Sequence, residues 1–296
     1  MAEETARANG IEIVYETIGD PSNPPLLLVM GLGMQLIHWD LELCQQLADR
    51  GFHVIRFDNR DTGRSTRVDA RVPDVRRAML GLRVDAPYLL EDMADDAFGL
   101  LDQLGIDAAH LVGASMGGMI AQTMAITRPE RVLSLTSIMS TTGERRASRP
   151  KLRLWSLLMR RAPEGKQAYI EYFVRIFRAI GSKGFPIDVE RARELAAATY
   201  DRSHDAAGTG RQLAAIMASG DRTPRLRSLN VPTTVIHGRD DPLVPFRGGR
   251  ATAAAIPDAR LIAIPGMGHD LPREVWPQVV EAVVETAGRA APASVA

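Results

Sequence analysis

Short apolar runs alternate with longer stretches of helical periodicity along this chain, a pattern that predicts a mainly parallel sheet covered by helices. Ile11–Ile18 alternates like a half-exposed strand, and Asp20–Pro25 reads as a turn. Leu26–Met30 is a continuous apolar run, as expected of a strand buried on both faces. A helix is expected over Trp39–Arg50, ending at Gly51, which can take the left-handed cap conformation. His53–Phe57 reads as the next strand. Leu90, Met93, Ala97, Leu100, Leu101 and Leu104 then recur at helix spacing and predict a helix over Leu89–Leu104, stopped by Gly105. Strand His110–Val112, a tight turn, helix Met116–Thr127 and strand Val132–Met139 follow.

Between Thr141 and Thr223 the strand-like runs vanish, and helical segments such as Leu152–Met159, Ala168–Ala179 and Val189–Tyr200 succeed one another. Beyond Pro224 the alternation resumes with Thr233–His237, Arg260–Ile264 and a last helix from about Arg273 to Ala287. The expected organisation is therefore one α/β core, residues 1–141 and 223–296, interrupted by a helical cap at 142–222. The tail Ala290–Ala296 reads as frayed.

The chemistry centres on Gly113-Ala114-Ser115-Met116-Gly117, a Gly-x-Ser-x-Gly between a predicted strand and a predicted helix. A serine held on so sharp a turn takes a strained backbone, and side chains two residues to either side would collide. Glycine at 113 and 117 removes that collision. The amide of Met116 would then point from a helix N-terminus at a developing oxyanion. Packing a helix on a strand through small residues is the bland reading of the same pentapeptide. It leaves the downstream residues unexplained.

A serine hydroxyl needs a base, and the base an orienting acid. Asp241 follows the strand Thr233–His237, and His269 follows the strand Arg260–Ile264. Both thus fall at carboxyl ends of strands, where α/β sheets build their sites, and in the order serine, acid, histidine. Of the neighbours Asp240 and Asp241, the second is preferred, because Pro242 fixes the backbone before it as extended. The other histidines lie in or beside strands (His53, His110, His237), at a helix start (His38) or in the insertion (His204).

A second oxyanion donor is expected from the Leu32 amide in Gly31-Leu32-Gly33, after strand Leu26–Met30. This turn also has a dinucleotide reading, with Asp58 as the ribose-binding acid. However, the third glycine of Gly-x-Gly-x-x-Gly falls on Leu36, and a cofactor explains neither Ser115 nor His269. No His-Glu-x-x-His motif or second cysteine argues for a metal, so neither metal nor cofactor is expected.

Composition changes this picture little. Lysines and arginines (36) balance aspartates and glutamates (36), so no electrostatic reason points to nucleic acid or an anionic membrane as partner. The basic stretch Arg145–Arg161 reads as a solvated helix face. The single cysteine, Cys44, sits in an amphipathic segment and reads as core. No apolar run approaches the roughly 20 residues of a membrane span, and Met1–Thr5 lacks the features of a signal peptide. The expectation is a soluble cytoplasmic protein, with oligomeric state left open.

With these residues in place, the chain resembles the α/β-hydrolase family from roughly residue 8 to residue 288. Asp58-Asn59-Arg60-Asp61-Thr62-Gly63-Arg64-Ser65 is similar to the family's Asp-x-Arg-x-x-Gly-x-Ser turn, Asp241-Pro242 to its acid loop, and Gly266–His269 to its histidine loop. The Asp58–Thr66 run with Val29-Met30-Gly31 most resembles the subgroup containing aclacinomycin methylesterases. Many relatives carry His-Gly where this chain has Met30-Gly31, so a side-chain brace of the oxyanion loop is expected to be lost. Relatives that resemble epoxide hydrolases and haloalkane dehalogenases carry Asp at the elbow, and Ser115 argues against those activities.

The resemblance implies a Ser115–His269–Asp241 triad that hydrolyses a carboxylic ester of a small or medium, partly apolar molecule. The same triad also serves lactone or thioester hydrolysis, carbon–carbon bond hydrolysis, acyl transfer and perhydrolysis. A ligand-binding receptor on a hydrolase fold is the reading of another class. Trp39, Trp155, Tyr172 and Phe177 are the expected substrate contacts, with Tyr169, Phe173, Met159 and Met217 as further lining of an apolar cleft.

Overall fold

Alternating side chains in the central strands sort to the two faces of one sheet, and each face has its own core. The computed structural model describes residues 2–75, 84–145, 147, 154 and 162–290. Its strands are β1 (Glu4–Ala8), β2 (Ile11–Ile18), β3 (Pro25–Val29), β4 (His53–Phe57), β5 (Ala109–Ala114), β6 (Val132–Ile138), β7 (Thr233–Gly238) and β8 (Arg260–Ile264). They form a sheet in the order β1-β2-β4-β3-β5-β6-β7-β8. β2 runs antiparallel to both neighbours, and the remaining pairs are parallel.

The helices are α1 (Leu41–Asp49), α2 (Leu90–Gln103), α3 (Met116–Thr127), α4 (Lys166–Ile180), α5 (Val189–Arg202), α6 (Ala206–Ser219), α7 (Phe246–Ala255) and α8 (Trp276–Ala287). One core packs Leu27, Val29, Ile55, Phe57 and Leu111 against α2 and α3. The other packs Leu26, Leu28, Val54 and Val112 against α1 and α8. Leu26, Leu27 and Leu28 thus face alternate sides of a strand covered on both, which is why that segment is continuously apolar. Leu90, Met93, Ala94, Ala97, Leu100 and Leu101 make the buried stripe of α2.

β4, α3 and β8 have the bounds their sequence patterns predict. β1 and α7 carry no such pattern. β1 is Glu-Thr-Ala-Arg-Ala, with only Ala6 and Ala8 buried, and its pairing with β2 makes it a strand. The helix expected over Leu152–Met159 lies, apart from Leu154, outside the described residues. Among the described residues no helix is long and apolar enough to cross a membrane.

The helices between β6 and β7 are tied to the carboxyl edge of the sheet by buried charges. Arg202 at the end of α5 reaches Asp58 at 2.6 Å and Glu3 at 2.7 Å. Arg211 of α6 binds both oxygens of Asp61, at 2.7 and 2.9 Å, and Tyr88 donates to the same carboxylate at 2.6 Å. Both aspartates lie just past β4 and are wholly shielded from solvent at their side chains. The bidentate Arg211–Asp61 pair and the bonds from Arg202 to two separate carboxylates fix where α5 and α6 sit above the sheet.

Candidate active site

Ser115 joins β5 directly to α3 and has φ 57° and ψ −118°, a strained conformation for a residue with a side chain. The turn leaves no room for side chains nearby. A Cβ on Gly117 would lie 1.9 Å from the Val29 carbonyl oxygen, and one on Gly113 2.3 Å from that of Gly117. The Ser115 backbone is locked from both sides, its N–H donating to the Ile138 carbonyl and its carbonyl accepting from Ser140 Oγ. The side chain is left partly open to solvent.

His269 and Asp241 arrive from the ends of β8 and β7. His269 Nε2 lies 2.9 Å from Ser115 Oγ, and its Nδ1 lies 2.7 Å from Asp241 Oδ2. Asp241 Oδ1 is occupied by the amides of Leu243 and Val244, at 2.8 and 2.9 Å, which leaves Oδ2 aimed at the imidazole. Asp240 turns away and accepts from the Gly266 amide at 2.9 Å. With the proton on Nδ1 donated to Asp241, His269 Nε2 presents its lone pair to the serine hydroxyl. That is the tautomer a general base needs.

His237 sits beside this chain, 3.6 Å from Asp241 Oδ2, and donates from Nε2 to the Val244 carbonyl at 2.8 Å. Burial pushes its pKa down, against the pull of the Asp241 carboxylate.

The loop after β3 lies against the nucleophile. A Cβ on Gly31 would be 3.2 Å from Ser115 Cβ and 3.7 Å from its Oγ. The Met34 amide donates to the Gly31 carbonyl, a turn that does not use the Leu32 N–H. Met116 is the first residue of α3, where helical amides have no intrahelical partner. Gly31, the neighbour of Leu32, and Met116 thus adjoin Ser115 from two elements. The brace expected to be lost at Met30 is supplied otherwise: Asn59 Nδ2 donates to the Met30 carbonyl at 3.0 Å, and the Gly33 amide donates to Gln212 Oε1 at 2.8 Å. Gln212 in turn donates to the Arg60 carbonyl and Thr62 Oγ1. Asn59 stands within the recognisable Asp58–Ser65 run, whereas nothing around Gln212 marks it.

The expected substrate contacts divide. Phe177 belongs to a row on one face of α4, stacked on Phe173 at 4.7 Å between ring centres, with Tyr169 at 6.2 Å from Phe173. Met34, two residues past Leu32, packs against this cluster and brings it beside the oxyanion loop. Tyr172 is half-buried and lies outside the row. Trp39 is corrected: it is 1% exposed and packs with Leu28, Leu43 and Cys44 in the core under α1, with no open face for a ligand. Trp155 and Met159 lie outside the described residues, and Met217 is half-buried on α6. Cys44 is buried, and burial pushes its thiol pKa up to about 11. Among the described residues no group of His, Cys, Asp and Glu side chains is arranged to hold a metal.

The chain is 32% identical, over 90% of its length and 92% of the relative's, to a rhodomycin D methylesterase of Streptomyces sp. (strain C5). It is 29% identical to a putative carbamate hydrolase of Pseudomonas syringae pv. syringae, over 83% of this chain and 86% of that one. Among solved structures it is similar in fold to an enol-lactonase from Burkholderia xenovorans LB400. That match has a TM-score of 0.75 and 23% identity, over 97% of this chain and 100% of that one. An esterase from Rhodococcus sp. ECU1013 matches with a TM-score of 0.77 and 20% identity, over 98% and 100%. The family model for the alpha/beta hydrolase fold matches residues 24–272. With its sheet order, its serine turn and this match in agreement, the chain belongs to the α/β-hydrolase fold family.

Proposed function

We propose that the protein is a serine hydrolase that cleaves a carboxylic ester of a small or medium, partly apolar molecule. The observation that carries this reading is the continuous hydrogen-bonded chain from Ser115 Oγ through His269 to Asp241. In the proposed reaction His269 Nε2 takes the hydroxyl proton as Ser115 Oγ attacks the ester carbonyl. Asp241 holds the imidazole and stabilises its charged form, and the Leu32 and Met116 amides donate to the oxyanion. His269 then delivers its proton to the leaving alcohol. It next activates the water that hydrolyses the acyl-enzyme.

The methylesterase relative favours a methyl ester, a small leaving group on a larger acyl part. Residues 142–222 form the cap in this reading, and the Tyr169–Phe173–Phe177 row beside Met34 offers an apolar wall for that acyl part. A carbamate would use the same groups, and the putative carbamate hydrolase among the relatives makes it the second substrate class to try.

The test is a panel of p-nitrophenyl and methyl esters of increasing acyl length, with a carbamate alongside, assayed on wild type and Ser115→Ala. The proposal expects ester turnover that depends on acyl length and is lost in the variant. A carbamate turned over faster than every ester would replace the substrate class. Turnover retained in Ser115→Ala would remove the mechanism.

A further inference from the structure

Three consecutive residues of the histidine loop are held by the few residues that follow α4. The Gly268 amide donates to Ser182 Oγ at 2.9 Å, and the His269 amide donates to the Ile180 carbonyl at 2.8 Å. Asp270 Oδ1 accepts from the Ser182 amide at 2.9 Å and from its hydroxyl at 2.5 Å. The Ser182 hydroxyl therefore donates to one neighbour of the histidine and accepts from the other. Below it, the amides of Lys183 and Gly184 both donate to the Gly266 carbonyl.

The two segments touch backbone to backbone. A Cβ on Gly268 would fall 2.4 Å from the Gly181 carbonyl and 2.6 Å from that of Ile180, so the contact admits no side chain there. Ser182 is 3% exposed. At that depth a hydroxyl with one donor and one acceptor partner is satisfied, and losing it strands the Gly268 amide and removes the shorter of the two bonds to Asp270 Oδ1. Burial pushes the Asp270 pKa up, against the pull of the Ser182 hydrogen bonds. None of the proposed chemical steps uses either residue.

The same helix presents the aromatic row. The Gly181 amide donates to the Phe177 carbonyl at 2.7 Å, so the last ring of the row and the strap are joined by one backbone bond. We infer that Ser182 and Asp270 are positioning residues that register α4 to the histidine loop, so that the helix carrying the aromatic row also sets the place of His269. This rests on the hydrolase reading above. The imidazole bonds Asp241 through Nδ1 and Ser115 through Nε2, but where the ring sits between them depends on the backbone that carries it. The backbone on either side fixes where Nε2 points. The sequence gives no sign of this, because Ser182 and Asp270 are 88 residues apart and neither belongs to a motif.

The test uses the full chain, with active sites counted by a fluorophosphonate so that rates refer to competent enzyme. Ser182→Ala and Asp270→Ala should each lower kcat on p-nitrophenyl butyrate about 10- to 100-fold, the scale of a displacement near 1 Å, with KM within about twofold. The double variant should lose little beyond the worse single one, because the pair acts as a unit. Ser182→Thr and Asp270→Asn keep the hydroxyl and the acceptor oxygen, and should recover most of kcat. Should Asp270→Ala not fold, Ser182→Ala, which deletes one oxygen, carries the test with its threonine rescue. A titrated Ser182→Ala enzyme with wild-type kcat, or one in which only KM changes, overturns the proposal. A wild-type protein that neither turns over the ester nor labels at Ser115 overturns the hydrolase reading and this proposal with it.

Discussion

Two sets of buried carboxylates lie along the same edge of the sheet and do opposite things with their oxygens. Asp58 and Asp61, past the end of β4, are saturated. Asp58 accepts from the amides of Leu36 and Arg64 and pairs with Arg202. Asp61 accepts from the Val68 amide, Tyr88 and both nitrogens of the Arg211 fork. Asp241, past the end of β7, commits one oxygen to two amides and directs the other at His269. A carboxylate with every lone pair engaged by fixed donors is a structural joint. One with a single directed bond to an imidazole can respond when a charge appears on it. The difference also disposes of Asp58 as a ribose-binding acid: its oxygens are taken, and it is fully buried.

Substitutions sharpen the comparison by what they should leave untouched. The largest effect is expected at the directed carboxylate. Asp241→Asn should lower kcat by up to about 10⁴, the scale of a triad forced into the wrong tautomer, with little loss of stability. Asp240→Asn, whose oxygen faces the Gly266 amide instead, should cost little in rate. Steady-state kinetics on both variants, with circular dichroism as the folding control, decide it, and the reverse ranking would mean that the wrong acid is named.

The joint should answer in stability first. Arg211→Ala leaves Asp61 buried without its cation, a change worth about 3–5 kcal/mol. Chemical denaturation should show that loss, with the surviving folded enzyme still labelled at Ser115. A variant as stable as wild type would mean that Tyr88 and the Val68 amide suffice to hold the carboxylate.

A smaller effect comes from two histidines outside both sets. Burial lowers the pKa of His110 from 6.5 to about 4 and that of His38 likewise to about 4. Between those values the unfolded chain binds protons that the folded chain does not. Stability should therefore be intact above 6.5 and fall as pH drops from 6.5 towards 4. Replacing His110 with Asn should flatten that slope in thermal unfolding followed across the range. An unchanged slope would assign the acid sensitivity to other groups.

How far these features are legible in the sequence follows from the range of the forces that make them. The elbow can be read because its cause is local: a serine between strand and helix with glycine where a Cβ would strike backbone. Asp241 and His269 can be read because each closes a strand within a few residues. The joints cannot, since Asp61 finds its arginine 150 residues away on a helix whose own pattern does not mark it. Gln212, which braces Gly33, is hidden for the same reason. Trp39 misleads in the other direction. An aromatic residue just after the oxyanion loop fits a substrate wall by position alone, and only the packing of α1 on that face of the sheet puts it in the core. β1 is invisible because its hydrogen bonds with β2, rather than any hydrophobic pattern, make it a strand.

The central claim, that Ser115 is the nucleophile of a hydrolase, is tested most directly by covalent capture. The intact protein is treated with a fluorophosphonate, digested, and its peptides analysed by mass spectrometry. The account predicts one stoichiometric adduct, on Ser115, that forms far more slowly in His269→Ala because the hydroxyl then has no base. An adduct of equal yield on Ser137, Ser140 or Ser182, or no adduct at Ser115 in a folded protein that still turns over esters, would contradict it.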